Sequence, residues 1–575
     1  MSIERERVTR HIFWQVVLAT LGIVLVFLVL FQLVADEPPP PVVEEATVEV
    51  PVQGGVYVEG VLGYLGVMNP ILAPRMVQAN PVDQDLSALV FDGLTSLDAS
   101  GRISPSLALE WQVSDDGAVY EFRLRPGVTW HDGAPLTSAD VAFTIQSIQD
   151  PGYQGDPSLA ELWRTVRVET PDAETVRFEL AEPFPSFINY TTIGLLPAHL
   201  LGNVPADELP EHEFSTAAPV GTGMFQVESV SPDRVVLAAN QDYWGPRPFL
   251  EGIEFWFYAD WEGLLADYEQ GDIHGFRPPT VSDLPALAAM PTLQLYSAQS
   301  AGYGIVFLNL ARETLPFFGE QEVRQGLLYA LDRQKIIDDV LLGRGLVAHN
   351  PIAPMSWAYD PSVRQYGYDP ERAIGLLDAS GWMDTDADRI RDKEQVPLAF
   401  ALLTADDPTL VAMAQEMAVQ WRAVGVDVTV VTASSEQVNQ AVRERDYDAA
   451  LVQVDLTADP DPYPLWHSTQ AESGQNFSGY ASEEADVVME EIRSTTDPEE
   501  LTRLYHTFQH TFAEEVPSLL IYYPIYTYAV DSRVQDVQLS PLFYPSDRFR
   551  NIEDWYIETE AVVVTDENDL DKTNE

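Results

Sequence analysis

From Ile12 to Ala35 the chain is nearly continuous apolar sequence, 24 residues broken only by Gln15, Thr20, Gly22 and Gln32. As a helix rising 1.5 Å per residue, such a run spans a hydrocarbon core of about 30 Å. It is longer than the roughly 7–15-residue apolar core of a secretory signal, and no small-x-small cleavage site succeeds it. Arg5, Arg7 and Arg10 precede it, while Asp36, Glu37 and Pro38 to Pro41 come after. The positive-inside rule predicts residues 1–11 in the cytoplasm, a single transmembrane anchor over 12–35, and everything beyond residue 36 outside. A cleaved signal peptide is the competing reading, and it too exports the bulk of the protein. No second run approaches spanning length, so the expectation is a tethered soluble protein rather than a channel.

The chain beyond the anchor must therefore fold in water, and its composition allows that. Of 575 residues, 46% are apolar and 10% aromatic, which is enough for several cores and excludes disorder throughout. Acidic residues outnumber basic ones 90 to 32, a net charge of 32 − 90 = −58, so phosphate backbones are repelled and a nucleic-acid partner is not expected. Only Lys335, Lys393 and Lys572 are lysines; adaptation to salt and genome composition both explain that bias. The absence of cysteine removes disulfides, thiolate metal sites, a Cys nucleophile and a lipidated cysteine anchor.

Residues 36–53, with four consecutive prolines and Glu44-Glu45, read as a stiff acidic linker. Residues 557–575 read as an acidic disordered tail. Between them strands and helices interleave, which favours an α/β architecture. Tyr120 to Arg125 alternates apolar and charged residues as a half-buried strand does, and Pro126-Gly127 stops it. Thr137 caps a helix with Asp140 at the capping-box position and Val141, Ile145 and Ile148 on its apolar face. Val323, Leu327, Ala330, Ile337 and Leu341 recur at helical spacing, with Gly343 as the C-cap. Leu410, Ala414, Met417 and Trp421 form a further stripe ended by Gly425, and Val426, Val428 and Val430 alternate as the next strand.

Catalytic motifs are missing. There is no H-E-x-x-H, G-x-S-x-G, P-loop or G-x-G-x-x-G. The nine histidines are read as lacking ligand spacing on a shared helical face, with His212, His274 and His510 solvated or structural. Asp384, Asp386 and Asp388 imitate half a calcium loop, but Arg389 and Gln395 stand where glycine and the bidentate glutamate belong, so a polar turn is expected. No metal, cofactor or catalytic residue is called for. The loop Asp459 to Ser468 is conspicuous: three prolines bar it from a helix or a central strand, and it carries Trp466 and His467. Gly474 to Tyr480, with Asn476, lies close behind it in sequence. Aromatics and amides on loops of an α/β frame suit a ligand cleft, and plain packing explains them as well.

The order of segments resembles the large solute-binding proteins of ABC importers, bacterial extracellular solute-binding family 5 (oligopeptide, dipeptide and nickel binders). The likeness runs over about residues 54–556. It begins with Gly54-Gly55-Val56-Tyr57-Val58 and Asn69-Pro70, then Val90 to Leu94 and Pro105 to Trp111. Its most specific stretch is Tyr120 to Gly133 continued by Leu136 to Val141. Pro219-Val220-Gly221-Thr222-Gly223, Asn240 to Gly245, Asn309, Val323-Arg324, Ala330 to Arg333 and Gly381-Trp382 complete it in order. The resemblance implies a two-lobed periplasmic-binding-protein type II fold (cluster C-like) with an extra subdomain in lobe 1. Lobe 1 would comprise 54–300, with 95–220 as the subdomain, and the return 520–556; lobe 2 would comprise 301–519. Hinge closure over ligand would create a shape that permease subunits recognise.

By the same resemblance, Tyr64, Asn69, Gln453 and Asp455 lie near ligand. Peptide binders of the family hold the peptide amino terminus with an aspartate four residues before the proline of the Asp-Pro run. Here Leu456 stands in that register, one residue from Asp455. Asp459, Asp461, Trp466, His467 and Asn476 are the alternative contacts, and carboxylates beside aromatics suit a cationic or sugar-like group. The expected function is a membrane-anchored monomeric receptor that passes a peptide or other small solute to an ABC permease. A ligand sensor signalling to a membrane partner and a secreted acid hydrolase are the alternatives.

Overall fold

A computed structural model describes residues 3–35, 46–73 and 80–564. It divides into two compact units, Met1–Val52 with Thr559–Glu575, and Gln53–Glu558. In the first unit, Ile3–Ala35 is one helix. Its stretch Arg10–Gln32 has a mean hydropathy of 2.6 and none of it is buried, as befits a segment whose apolar side chains have no protein to pack on. The same unit holds a two-stranded antiparallel ribbon, Ala46–Pro51 against Thr559–Val564, with Ala46 opposite Val564 and Pro51 opposite Thr559. This corrects the linker and the disordered tail in part. The acidic residues around it hide the β-branched run Val562-Val563-Val564, and such residues favour a pleated strand. Residues 36–45 and 565–575 lie outside the described residues.

The second unit is a two-lobed α/β fold threaded by one long mixed sheet. In spatial order its strands are Asp427–Ala433, Ala399–Ala405, Ala449–Asp455, Gly302–Leu308, Ser518–Asp531, Gly275–Phe276, Val56–Leu62, Gly252–Tyr258, Arg234–Ala239 and Phe225–Val230. Leu293–Gln299 and Gly345–Val347 also pair with Ser518–Asp531. Ser518–Asp531 is the strand that crosses between lobes. Leu519 to Tyr523 pack into cores built otherwise from residues 303–516, whereas Tyr526 to Val530 join cores built from residues 57–293 and 534–555. Pro524 sits between those halves, where its missing N–H costs the ladder least, and its carbonyl accepts the Ser300 N–H of the other crossing segment. Gly302–Leu308 buries all seven residues because both of its faces are covered.

The extra subdomain in the first lobe is a four-stranded antiparallel sheet in the order Ala108–Val113, Val119–Leu124, Thr175–Leu180, Val166–Asp172. Tyr120, Phe122 and Leu124 face its core while Glu121 and Arg123 face water, the alternation expected of this segment. Helix Ser138–Gln149 starts at the Thr137–Asp140 capping box, and Val141, Ile145 and Ile148 are buried. One helix expectation fails. The apolar stripe from Val323 to Leu341 is two helices, Gln321–Tyr329 and Arg333–Val340, because Asp332 caps the second by accepting the Lys335 N–H. The break turns Arg333 inward, where its guanidinium takes the carbonyls of Ala348, Leu520 and Tyr366.

A buried charge cluster closes the first lobe. Arg548 donates to both oxygens of Asp85, at 2.7 and 2.6 Å, and to Glu59 at 3.1 Å. Tyr57 and Tyr528 each hydrogen-bond the other oxygen of Glu59. Burial pushes the Glu59 carboxyl above its usual range, and Arg548 only partly offsets that. The cluster pins the returning segment to the first strand across more than 450 residues of sequence.

Candidate functional site

The loop after strand Ala449–Asp455 lies where the lobes meet. That strand pairs antiparallel with Gly302–Leu308, Gly302 opposite Asp455, which delivers the chain to the junction. Gln453 and Asp455 are exposed there, and the Gln453 amide donates to Asp455 at 3.1 Å. Beyond them, Asp459 reaches across to the other lobe. Its Oδ1 accepts the Ser186 hydroxyl at 3.1 Å, and Ser186 is flanked by Phe187 of the first lobe's core. The Asp461 N–H also donates to that oxygen, at 3.2 Å.

The two aspartates differ sharply in compensation. Arg493 grips Asp461 Oδ2 through Nε and Nη2, at 2.9 and 2.6 Å. The same guanidinium lies 3.8 Å over the Tyr463 ring, which stacks in turn on His467 with centroids 3.9 Å apart. Asp459 makes no direct ion pair among the described residues. Burial, and then the negative charge of Asp461, push its carboxyl up to about 7. Tyr190 and Tyr505 are raised by burial and then by the same two charges, so the aspartates form one acidic focus.

Around Asp459 lies a small cavity that opens to solvent. The second lobe supplies Pro351 to Ala353, Ser356, Leu456, Thr457, Asp459 to Pro462, Leu465 and Trp466, and Phe543 of the returning segment closes it. Asp459, Asp461 and Trp466 thus line one cavity. Gln453 and Asp455 stand on the strand leading in. Tyr64, 72% exposed, is on a loop of the first lobe.

Three expected contacts are enclosed instead. Asn69 is fully buried between Ser215 and the Ile71 N–H, shaping its own turn. Asn476 spends its amide on the carbonyls of Trp466, His467 and Tyr480, as buried amides must. His467 accepts the Thr469 N–H and packs under Tyr463, away from the cavity. Ser186, Tyr190, Arg493 and Phe543 are invisible to sequence reasoning, because each reaches the site only through long-range folding. Asp384, Asp386 and Asp388 do cluster, but Asp384 caps the N–H groups of Ala387 and Arg389 in an exposed polar turn, as expected.

Residues 102–476, well over half of the chain, match the pattern of the bacterial extracellular solute-binding proteins, family 5 Middle. The chain belongs to this family. The oligopeptide-binding protein AppA of Bacillus subtilis is 30% identical over 521 residues, 88% of this chain and 92% of that one. AppA solved in complex with a nonapeptide has a TM-score of 0.69 and 28% identity, covering 88% of this chain and all of AppA. The ABC transporter substrate-binding protein CtaP of Listeria monocytogenes has a TM-score of 0.77 at 25% identity, covering 88% and 100% of the two chains. The dipeptide-binding protein of Escherichia coli is 26% identical over 467 residues, 77% of this chain and 84% of that one. This family 5 protein is therefore an extracytoplasmic solute-binding receptor of an ABC importer and not an enzyme.

The motifs that carry the family likeness hold the scaffold. His131 accepts the Gly221 N–H at Nδ1 and donates from Nε2 to the Gly223 carbonyl, a neutral tautomer that burial favours. A Cβ at Gly221 would collide with the Val90 carbonyl, so only glycine allows the loop to lie against that helix end. Asn309 bridges the carbonyls of Arg445 and Tyr447, and Arg324 gathers those of Phe318, Glu515 and Val516. These are backbone staples, which fix the frame that carries the site.

Proposed function

We propose that this receptor captures a small solute bearing a protonated amine, a peptide foremost, with the ammonium paired to Asp459 between the lobes. The observation that carries the reading is the Asp459 carboxylate: partly buried, crowded by Asp461, and without a cation of its own among the described residues. A ligand ammonium would supply the missing positive charge and relieve the repulsion that raises its pKa. Arg493 holds Asp461 in place, Trp466 and the prolines form an apolar wall, and Gln453, Asp455 and Tyr64 would extend the contact. The names of AppA and the Escherichia coli dipeptide-binding protein support a peptide. Lobe 1 would comprise 54–300, with subdomain 95–220, and 520–556, and lobe 2 would comprise 301–519; closure about the crossing strands would present the loaded receptor to permease subunits. The helix within 12–35 would hold a monomer at the membrane with residues 1–11 inside, and a net charge of −58 argues against nucleic acid as a partner.

Native mass spectrometry of the full chain, purified gently in detergent, tests the site. A co-purified solute should carry a basic nitrogen, and the Asp459→Asn variant should lose it. A solute with no basic nitrogen, or equal retention by the variant, would refute the assignment. If the chain emerges empty, calorimetry with penta-alanine and its N-acetylated form decides: only the free amine should bind, and binding of both or of neither counts against it.

A further inference from the structure

Helix Pro498–Glu515 carries His506 and His510 one turn apart, a spacing that puts both imidazoles on one face. This pair corrects the expectation that no two histidines share a helical face at ligand spacing. Both rings converge on a single carboxylate oxygen: Asp360 Oδ2 lies 3.7 Å from His506 Nδ1 and 3.0 Å from His510 Nε2. We propose that His506, His510 and Asp360 form a binding site for a divalent transition metal, zinc above all.

The donor set suits that ion. Two imidazoles and one carboxylate match the borderline preference of zinc, and two histidines at i and i+4 on a helix are a recurrent zinc pair. With bonds of about 2.0–2.1 Å, the ligand atoms of a tetrahedral site stand about 3.3 Å apart. The two separations to Asp360 bracket that edge length, whereas the two imidazoles stand more than 4.8 Å apart and have to rotate to close the third edge. His506 and His510 side chains are 39% and 51% exposed, so the rings can turn toward each other and water can complete the coordination.

The carboxylate is fixed in advance, which an accidental surface contact would not require. Asp360 is only 8% exposed at its side chain. Gln509, beside His510 in sequence, accepts the Asp360 N–H at 2.8 Å and donates to the Ala358 carbonyl at 2.7 Å, clamping that loop to the helix. Asn350 holds the Asp360 carbonyl, and the Ser362 N–H takes Oδ1, leaving Oδ2 directed at the imidazoles. Such outer partners tune metal affinity by about 10–100-fold. None of the three ligands lines the solute cavity, but the loop they tie down is continuous with Pro351 to Ala353 of its wall. A bound metal would brace that wall.

The test is zinc binding by the full chain in detergent, measured with zinc alone against a chromophoric chelator, in excess calcium to occupy the many exposed carboxylates. One zinc per chain should persist. His506→Ala and His510→Ala should each weaken it at least tenfold, and Asp360→Asn about tenfold. Cobalt in place of zinc should give a ligand-field spectrum that the histidine variants abolish. Should Asp360→Asn fail to fold, the exposed histidines still decide, with metal-free melting as their folding control. Zinc retained unchanged by the double histidine variant, or no zinc retained by the wild type in calcium, would overturn the site.

Discussion

Asp459→Asn isolates the electrostatic penalty at the lobe junction. The carboxyl titrates at about 7 against an ordinary value of 3.8, so the folded chain keeps a proton that the unfolded chain has released. Its folded pKa is raised, so its contribution to stability is greatest in acid and falls as pH climbs from about 4 to about 7, beyond which it is flat. Three pK units at about 1.4 kcal/mol each give a ceiling of about 4 kcal/mol for holding the ionised group at pH 8. Asparagine keeps the size and can still accept the Ser186 hydroxyl while removing the charge. The variant should match the wild type at pH 4 and exceed it at pH 8. For a unit of roughly 500 residues the entropy of unfolding is about 1 kcal/mol per kelvin, so the gain in Tm should be up to about 4 °C. Scanning calorimetry of solute-free protein at both pH values measures it. Solute affinity should move the opposite way, rising with pH in the wild type as the carboxylate forms and staying low in the variant. A Tm difference of the same size and sign at both pH values would refute the buried-charge argument.

The remaining predictions probe scaffold and anchor. Arg548→Met should cost about 3–5 kcal/mol in denaturant unfolding, because it strands Asp85 and Glu59 in a dry interior; a loss under about 1 kcal/mol would mean water reaches them. Gly221→Ala should sharply lower soluble yield and Tm through its clash with the Val90 carbonyl, whereas alanine at Gly127, which has open space around it, should cost only its backbone strain. Trp466→Ala should cost about 3–5 kcal/mol, since the ring packs edge-on against Phe512 at 4.7 Å. Alkaline carbonate should leave the full chain in membranes and release a chain lacking residues 1–45; extraction of both would refute the anchor.

Much of the local structure was legible because its causes are local. The alternation at Tyr120 to Arg125, the Thr137–Asp140 capping box and the stripe Leu410 to Trp421 each act over a few residues, and periodicity exposes them. The same signals misled where a neighbour intervened. The stripe Val323 to Leu341 continues in register across a break that Asp332 makes, and the strand Thr559–Val564 forms only because Ala46–Pro51 lies beside it. Site residues were legible only in part. The Asp-Pro loop was visible from its prolines, but which of its carboxylates is compensated depends on Arg493, and which touches the other lobe depends on Ser186. His506 and His510 could have been paired from spacing alone, yet their shared partner Asp360 lies about 150 residues away. By itself the sequence determined the membrane-length helix, the acidic exported character, the family and the α/β framework, because hydrophobic period, charge and short-range caps are written along the chain. Only the tertiary structure decided which of 90 carboxylates are buried, paired or left exposed to a ligand, because burial and ion pairing are properties of distance in space, and folding sets those distances independently of separation along the chain.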